Sequence, residues 1–361
     1  MNILVVQRDR GVGGTARDAQ RLSRELVKEH NVWIACNRDS WLAQAADKEG
    51  IPTIKLRLPG SILNPLAASF LARFVRDNRI DIVRGYGEVG AMYAVLASDR
   101  SRAVPVASTH TLFPKRLRWT QRCAAIIAVS DATKRLLLEK GIPEEKIRVI
   151  RHGVPIELLN TDRAECRHRI RSEFGIDDSV PLAVAVGGTI RGKGHDIFLK
   201  AAALVRNSVP DARFFIVGDK SSAFASVLEN IVEEYLLGDA VTFTGRRYDA
   251  IDIMAAADVV ILPSRSESLS QVAMESQAVG TPVVASRVGG LPEVVADGES
   301  GILVESENIE AFAEAMRLIL TSPELARRLG DGGKARALSE LNIRTAVERT
   351  ADFYRELLSN R

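Results

Sequence analysis

Glu267 and Glu275 stand about two helical turns apart in the stretch Ser264 to Val284, a separation that puts both carboxylates on much the same side of a helix and of the turn leading into it. The flanking residues indicate the elements that would position them. The apolar run Ala257 to Leu262 reads as a buried parallel strand closed by Pro263. A helix follows, with Ser268 or Ser270 as its N-cap, Val272, Met274 and Ala278 toward a core, and Gly280 at its end before Pro282. Backbone N–H groups at Ser268, Leu269 and Ser270 then make an anion site suited to a diphosphate, and the two carboxylates accept hydrogen bonds from hydroxyls on either side of it. A nucleotide sugar has that layout. By spacing alone a solvated turn glutamate and an exposed helical one are the readier reading, because paired glutamates are common on helices.

Other residues with chemistry to offer sit in similar places. Ile3 to Val6 is a strand signal, followed by Gln7 to Gly14 and a helix from about Thr15 to Glu29. Gly11, Gly13 and Ala16 satisfy a relaxed dinucleotide fingerprint, and Asp39 follows the next strand, Asn31 to Cys36, where a ribose-binding acid would sit. Against that cofactor, Gln7 to Arg10 separate the strand from the first glycine, and Gly11 is equally a turn residue needing positive φ. A second strand, basic glycine loop and helix begin at Leu182 and include Arg191, Gly192, Lys193 and Gly194. His110 follows the strand-like run Val104 to Ser108, either as a plain loop residue or as a polar group where parallel sheets bind ligands. Lys115, Arg116, Arg118 and Arg122, interleaved with Leu117 and Trp119, form a basic amphipathic cluster. It fits a solvated helix face, or a patch for an acceptor or for anionic headgroups.

The elements behind these residues alternate regularly. Strand-like runs at Thr53–Leu56, Ile80–Val83, Val104–Ser108, Ala125–Val129 and Ile147–Ile150 are separated by helical stretches at Trp41–Glu49, Pro65–Asn78, Val89–Ala97 and Asp131–Lys140, which argues for a parallel sheet with helices on both faces. The pattern resumes with a helix at Arg163–Glu173 and strands at Phe214 and Val241, and closes with helices at Ile309–Leu320, Pro323–Leu329 and Ile343–Leu358. A chain of 361 residues with 46% hydrophobic and 26% charged content is long enough for two soluble domains. Its net charge of +3 is too mild for a nucleic-acid binder but permits an anionic ligand or membrane surface. Cys36, Cys123 and Cys166 are too far apart for a zinc or disulfide framework. No run spans a bilayer and no signal peptide is visible, which points to the cytoplasm.

The run Ile261 to Val304 has Leu262-Pro263-Ser264 before Glu267, then Gly280 to Ser286, Gly289-Gly290, Glu293 and Asp297 to Val304. It closely resembles the donor-binding segment of retaining GT-B glycosyltransferases of family 4. The likeness covers nearly the whole chain, including Ile127 to Lys134 and Lys146 to Val154. It implies an α/β fold of two doubly wound, Rossmann-like domains facing each other across a cleft. An acceptor-side domain would span 1–153, with a C-terminal helix over 345–361 packing back on it. A donor-binding domain would span 154–344, joined near His152 to Leu159.

By the same resemblance Glu267 touches the transferred sugar, Glu275 the ribose and Lys193 the diphosphate, while Gly13 and Gly14 lie against donor and acceptor. His110 orients the sugar, and the loop carrying Arg246 and Tyr248 lies beside the base. Family members carry an arginine where this chain has Gly188, so Arg191 is expected to substitute for it. His152, in place of the usual asparagine, reads as turn chemistry. The implied activity is transfer of a sugar from a nucleoside-diphosphate donor to a glycan or lipid-linked acceptor, in bacterial cell-surface polysaccharide or lipopolysaccharide biosynthesis. Transfer would retain configuration, the leaving phosphate taking the acceptor's proton. No Asp-x-Asp pair follows a strand, so neither metal nor other cofactor is expected, and Arg191, Lys193 and the Ser268 to Ser270 amides would supply the positive potential. Two further readings stand beside this one: a catalytically weak nucleotide-sugar-binding module of the same fold, and an NAD(P)-dependent oxidoreductase.

Overall fold

The computed structural model of the protein describes residues 1–59 and 63–360; Arg361, the last residue of the expected C-terminal helix, lies outside them. The chain divides into two compact units, crossing from one to the other after Gly153 and returning after Leu341.

The first unit is built on strands β1 (Asn2–Gln7), β2 (Asn31–Asn37), β3 (Thr53–Leu56), β4 (Ile82–Tyr86), β5 (Val104–Thr109), β6 (Ala125–Ala128) and β7 (Ile147–Val149), ordered β3-β2-β1-β4-β5-β6-β7. All pairs are parallel, with Ile3 opposite Val32 on one side and Ile82 on the other. The central strands are continuous apolar runs because α1 (Gly14–Leu26), α2 (Trp41–Lys48), α3 (Pro65–Asp77), α4 (Gly87–Ser98) and α5 (Asp131–Glu139) cover both faces. Asn64 caps α3 and Ser130 caps α5 through their side chains.

The second unit repeats the plan. Helix α6 (Arg163–Glu173) precedes β8 (Leu182–Val186), α7 (His195–Arg206), β9 (Arg213–Val217), α8 (Phe224–Glu234), β10 (Val241–Gly245), α9 (Ala250–Ala256), β11 (Val259–Leu262), α10 (Gln271–Ala278), β12 (Val283–Ser286), the short α11 (Leu291–Val294) and β13 (Gly301–Val304). Helices α12 (Ile309–Thr321) and α13 (Pro323–Ser339) finish this unit. Its sheet order, β10-β9-β8-β11-β12-β13, reverses direction between β8 and β11. At such a reversal the helices that follow the two strands pass to opposite faces and leave a crevice for a ligand at the strands' C-terminal ends. The final helix, α14 (Ile343–Ser359), belongs to the first unit and buries Phe353 and Tyr354 beside Ile3 and Ile150. Each of these aromatic side chains contributes about 1.5–3 kcal/mol by burial.

Three expectations change. Helix α13 does not stop near Leu329 but runs to Ser339 through Gly330, Gly332 and Gly333. Those glycines read as a helix end in sequence, yet a Cβ on Gly330 would lie 2.3 Å from the Gly280 carbonyl oxygen and one on Gly332 would lie 2.1 Å from that of Glu299. Their lack of a side chain lets α13 lie directly on the backbone of its neighbours. The basic cluster from Lys115 to Arg122 forms no α-helix; only Thr120–Arg122 makes a 3-10 turn. Gly11 and Gly13 do not have positive φ, and Gly13 caps α1 at φ −132°. The three cysteines are free and buried, as their isolation in sequence suggests.

Where β8 ends, the loop leading to α7 passes so close to the end of β11 that a Cβ on Gly194, at φ +70°, would lie 1.9 Å from the Pro263 carbonyl oxygen. Gly194→Ala therefore combines left-handed backbone strain with a backbone overlap, and we expect a loss of at least about 2 kcal/mol. Urea unfolding measures this as a lowered midpoint at constant slope; an unchanged midpoint contradicts the close approach.

Candidate functional site

The β8–α7 loop and the β11–α10 turn meet at the strand-order reversal of the second unit. Lys193 Nζ donates to Glu267 Oε2 at 2.6 Å, and both side chains are partly buried. The lysine stem lies along the loop's own backbone, since a Cβ on Gly187 would be 3.3 Å from Lys193 Cγ. Glu267 is held in turn by its carbonyl oxygen, which accepts the Gly290 amide at 2.9 Å. Arg265 fastens one loop to the other. Its amide donates to Gly192 O at 2.9 Å, its Nη1 to Arg191 O at 2.8 Å, and its guanidinium forks onto both carboxylate oxygens of Asp196 at 2.8 Å each. The far edge of the fork meets Glu307. The Asp196 hydrogen bonds raise the Arg265 pKa although burial opposes them. Burial alone would push Asp196 up, but Arg265 more than offsets it and holds the carboxyl below its usual range.

His195, the first residue of α7, is buried, and its Nε2 lies 3.2 Å from the Gly187 carbonyl oxygen. Burial pushes this imidazole down to about 4, so it is neutral at physiological pH and ties the glycine loop to the helix without adding charge. Further along the sheet edge, the Thr189 amide donates to Asp219 O at 3.0 Å, and Arg246 Nη2 pairs with Asp219 Oδ2 at 2.7 Å. Tyr248 is 84% exposed.

The second unit thus brings Lys193 and Glu267 into contact and places Arg191 in the same short turn as Lys193. Arg191 is exposed, and its guanidinium makes no ion pair among the described residues. A Cβ on Gly188 meets nothing within 4 Å, so the position that carries an arginine in the family is open space here. Ser270, not Ser268, is the N-cap of α10, its side chain accepting from Ala273 N. Ser268 and Leu269 therefore belong to the approach turn, one step upstream of the helix's first amides. Glu275 is only 2% exposed, which removes the exposed-face reading of this residue. Val272 is half-buried, and its neighbour Ala273 takes the core position beside Met274 and Ala278.

The first unit carries a second constellation, and sequence reasoning found only part of it. His110 follows β5 as expected, but its ring is packed inside, stacked on Tyr86 with centroids 5.1 Å apart. Its Nε2 lies 2.8 Å from Ser108 Oγ and 3.8 Å from Asp18 Oδ2. Asp18, on α1, also accepts the Tyr86 hydroxyl at 2.9 Å and lies 3.7 Å from Arg84 Nη2 and 3.6 Å from His152 Nδ1. His152 is thus a buried member of this cluster, which corrects its reading as turn chemistry. Asp18, Arg84, Tyr86 and Tyr354 were not singled out in the sequence, where the available hint was an arginine, Arg84, inside the strand-like run Ile82 to Tyr86. Burial pushes His110 down to about 3 despite the carboxylate beside it. Burial would push the Asp18 carboxyl up, but His152, His110 and Arg84 around it and the hydrogen bond from the Tyr86 hydroxyl more than offset that and hold it below its usual range. Asp18, His110 and His152 bring three ligand-type atoms within 4.8 Å of one another. The Arg84 cation and the Tyr86 hydroxyl already meet the carboxylate, so the cluster is a poor host for a further cation. Gly13 and Gly14 open α1 nearby in sequence, and a Cβ on Gly13 meets nothing within 4 Å. Asp39 pairs with Arg10 at the exposed surface, far more like a surface ion pair than a ribose ligand.

His110 and His195 make stability depend on pH with a definite sign. Both are held below the value of about 6.5 that they regain on unfolding, so between pH 7 and 5 the unfolded chain binds protons that the folded chain does not. Stability is complete above that range and falls as the pH drops, by roughly 2 kcal/mol per histidine between pH 7 and 5. Urea midpoints across that range test this, and His195→Asn removes its share of the dependence. A midpoint independent of pH contradicts the neutral buried rings.

Comparison with known proteins agrees with this architecture. The second unit matches the family model "Glycosyl transferases group 1" over residues 167–336, and the first matches "Glycosyltransferase Family 4" over residues 12–158. A D-inositol 3-phosphate glycosyltransferase of Streptomyces griseus is 32% identical over 347 residues, covering 93% of this chain and 68% of the relative. A relative of the same name from Corynebacterium glutamicum is 32% identical over 222 residues, covering 60% of this chain and 53% of its own length. The chain thus spans about half the length of the latter relative. Among solved structures, an Anabaena protein in complex with UDP-glucose superposes with a TM-score of 0.87 at 21% identity, with 100% of both chains covered. Two parallel sheets of Rossmann type, both family models and the Streptomyces relative place this chain in the group 1, family 4 glycosyltransferases of GT-B fold.

Proposed function

We propose that the protein transfers a sugar from a nucleoside-diphosphate donor to an acceptor hydroxyl, with retention of configuration and without a bound metal. The observation that carries this reading is the Lys193–Glu267 contact of 2.6 Å at the strand-order reversal of the second unit. An ammonium and a carboxylate held side by side fit a ligand that is anionic at one end and rich in hydroxyls at the other. Lys193 would turn to the diphosphate, and Glu267 would accept hydrogen bonds from the sugar. Glu275 would take the ribose, Ser268, Leu269 and Ser270 the phosphate oxygens, and the loop of Arg246 and Tyr248 the base.

In the reaction the bond from the anomeric carbon to the β-phosphate oxygen breaks, and the acceptor oxygen forms the new bond on the same face. The acceptor's proton passes to the departing phosphate. Negative charge grows on that phosphate in the transition state, where Lys193, Arg191 and the turn amides stabilise it. His110, buried and neutral, keeps the role the resemblance gives it, orientation of the sugar, with Gly13 and Gly14 leaving room for the ligand. The acceptor is a glycan or lipid-linked glycan of the bacterial surface, as in lipopolysaccharide assembly. Peripheral contact with an anionic membrane fits the same reading. Gly188 favours one competing view, a catalytically weak binding module, because a cation is missing from the place where charge develops.

Binding and chemistry are separable. A nucleotide-sugar panel read by thermal shift identifies the donor, since a ligand at about 100 times its Kd adds about 2.7 kcal/mol; protection by NAD or NADP alone would point to the oxidoreductase reading. With the donor known, Lys193→Ala and Glu267→Ala should each lower turnover by about 10²-fold or more. Near-normal turnover in both removes the site assignment.

The open space at Gly188 gives a second expectation. Gly188→Arg should fold normally and raise kcat, while Arg191→Ala in the unaltered chain should lower it, each by roughly tenfold or more. If Arg191→Ala turns over donor at the normal rate, the substitute-cation assignment fails.

A further inference from the structure

Residues 109–120 contain cations and large apolar side chains that the proposed chemistry does not use, and the first unit gathers them with the start of α3 and the head of α4 around a groove of about 690 Å³. Arg8, Lys115, Arg116 and Arg118 line it. Glu88 is the one carboxylate among the described lining residues, and it is already engaged. Its Oε1 accepts the Trp119 amide at 2.7 Å, and its Oε2 accepts the Thr120 amide at 3.1 Å and the Thr120 hydroxyl at 2.8 Å. Those bonds anchor the segment to α4, and the lining carries four cations, Arg8, Lys115, Arg116 and Arg118, against this one carboxylate. Arg8, Lys115 and Arg116 make no ion pair among the described residues, and Arg118 and Arg122 flank the Trp119 ring.

Apolar surface continues outward from the same groove. Phe113, which lines it, is 73% exposed. Leu63 also lines it, just before α3. Leu66 and Phe70 extend that face one turn apart along the helix and are 82% and 49% exposed. The start of α3 is fixed, with the Asn64 amide donating to the Tyr93 hydroxyl at 3.2 Å. Unpaired cations in a groove that Leu63 and Phe113 also line, with Leu66 and Phe70 exposed farther along α3, match an anionic group joined to hydrocarbon. A small soluble anion would leave the apolar rim in water.

We infer that this groove takes the phosphate headgroup of an anionic lipid, with Arg8, Lys115 and Arg116 meeting its charge and Leu63, Leu66, Phe70 and Phe113 entering the glycerol and acyl region. The inference names a site and a ligand class for the membrane contact, and it rests on the proposed function only in taking the acceptor to be presented at a bilayer.

Co-sedimentation of the full chain with vesicles tests it. We expect binding to phosphatidylcholine vesicles containing about 30 mol % phosphatidylglycerol and little to phosphatidylcholine alone. The double variant Lys115→Glu, Arg116→Glu should weaken binding roughly 30-fold or more. Phe113→Ser with Leu66→Ser should weaken it even at low salt, where electrostatic attraction is strongest. Circular dichroism and the thermal midpoint confirm that the variants fold. Equal binding to neutral and anionic vesicles, no binding to either, or wild-type binding by both double variants overturns the assignment. So does thermal protection by sn-glycerol 3-phosphate without vesicle binding, which would mark a site for a small soluble anion. Donor protection of the unaltered chain, measured separately, reports on the proposed function: its absence with vesicle binding intact removes that reading and leaves the lipid site standing.

Discussion

Arg265 fastens together the two loops that carry the candidate site of the second unit. The loop after β8 and the turn after β11 leave adjacent, hydrogen-bonded strands at the point where the sheet order reverses. The arginine spans them with a fork to Asp196, a bond to the Arg191 carbonyl and a backbone bond to Gly192. A planar five-donor group can meet a carboxylate, a carbonyl and a second carboxylate at once; a lysine has neither the shape nor the donor count. Because Asp196 is partly buried, the fork onto it is stronger than the exposed pair with Glu307.

The alternation of strands and helices was legible because each strand is a short apolar run bounded by turn residues, and parallel sheets leave that signature. The strand, turn and helix cap around Pro263 to Ser270 were legible for a local reason, since they lie within a few residues of one another, whereas the roles expected of Lys193 and Glu267 came from the family resemblance. The buried cluster of the first unit was not. Asp18 meets Tyr86 across 68 positions of sequence, and each member taken alone is an ordinary helix, strand or loop residue. Only the sheet order, which places α1, β4 and β5 side by side, gives the group its meaning.

The misreadings have physical causes too. Glycines in α13 suggested a helix end because intrinsic propensity was weighed without the neighbouring backbone that excludes any side chain there. The basic segment from Lys115 suggested a helix because amphipathic spacing over a few residues does not specify one. Its conformation comes from Glu88, a residue on another element that accepts its backbone amides. His152 suggested a turn residue because its partners, Asp18 and His110, come from elsewhere in the chain.

The glycines of α13 also bear on the order in which the second unit assembles. Each costs about 1 kcal/mol relative to alanine as an isolated helix, so the stretch from Gly330 to Gly333 has little tendency to coil before its neighbours exist. The backbone around Gly280 and Glu299 serves as its template. The latter half of α13 therefore depends on its neighbours to hold its helical form, and fast amide exchange there would report local loosening of that contact before the rest of the second unit opens.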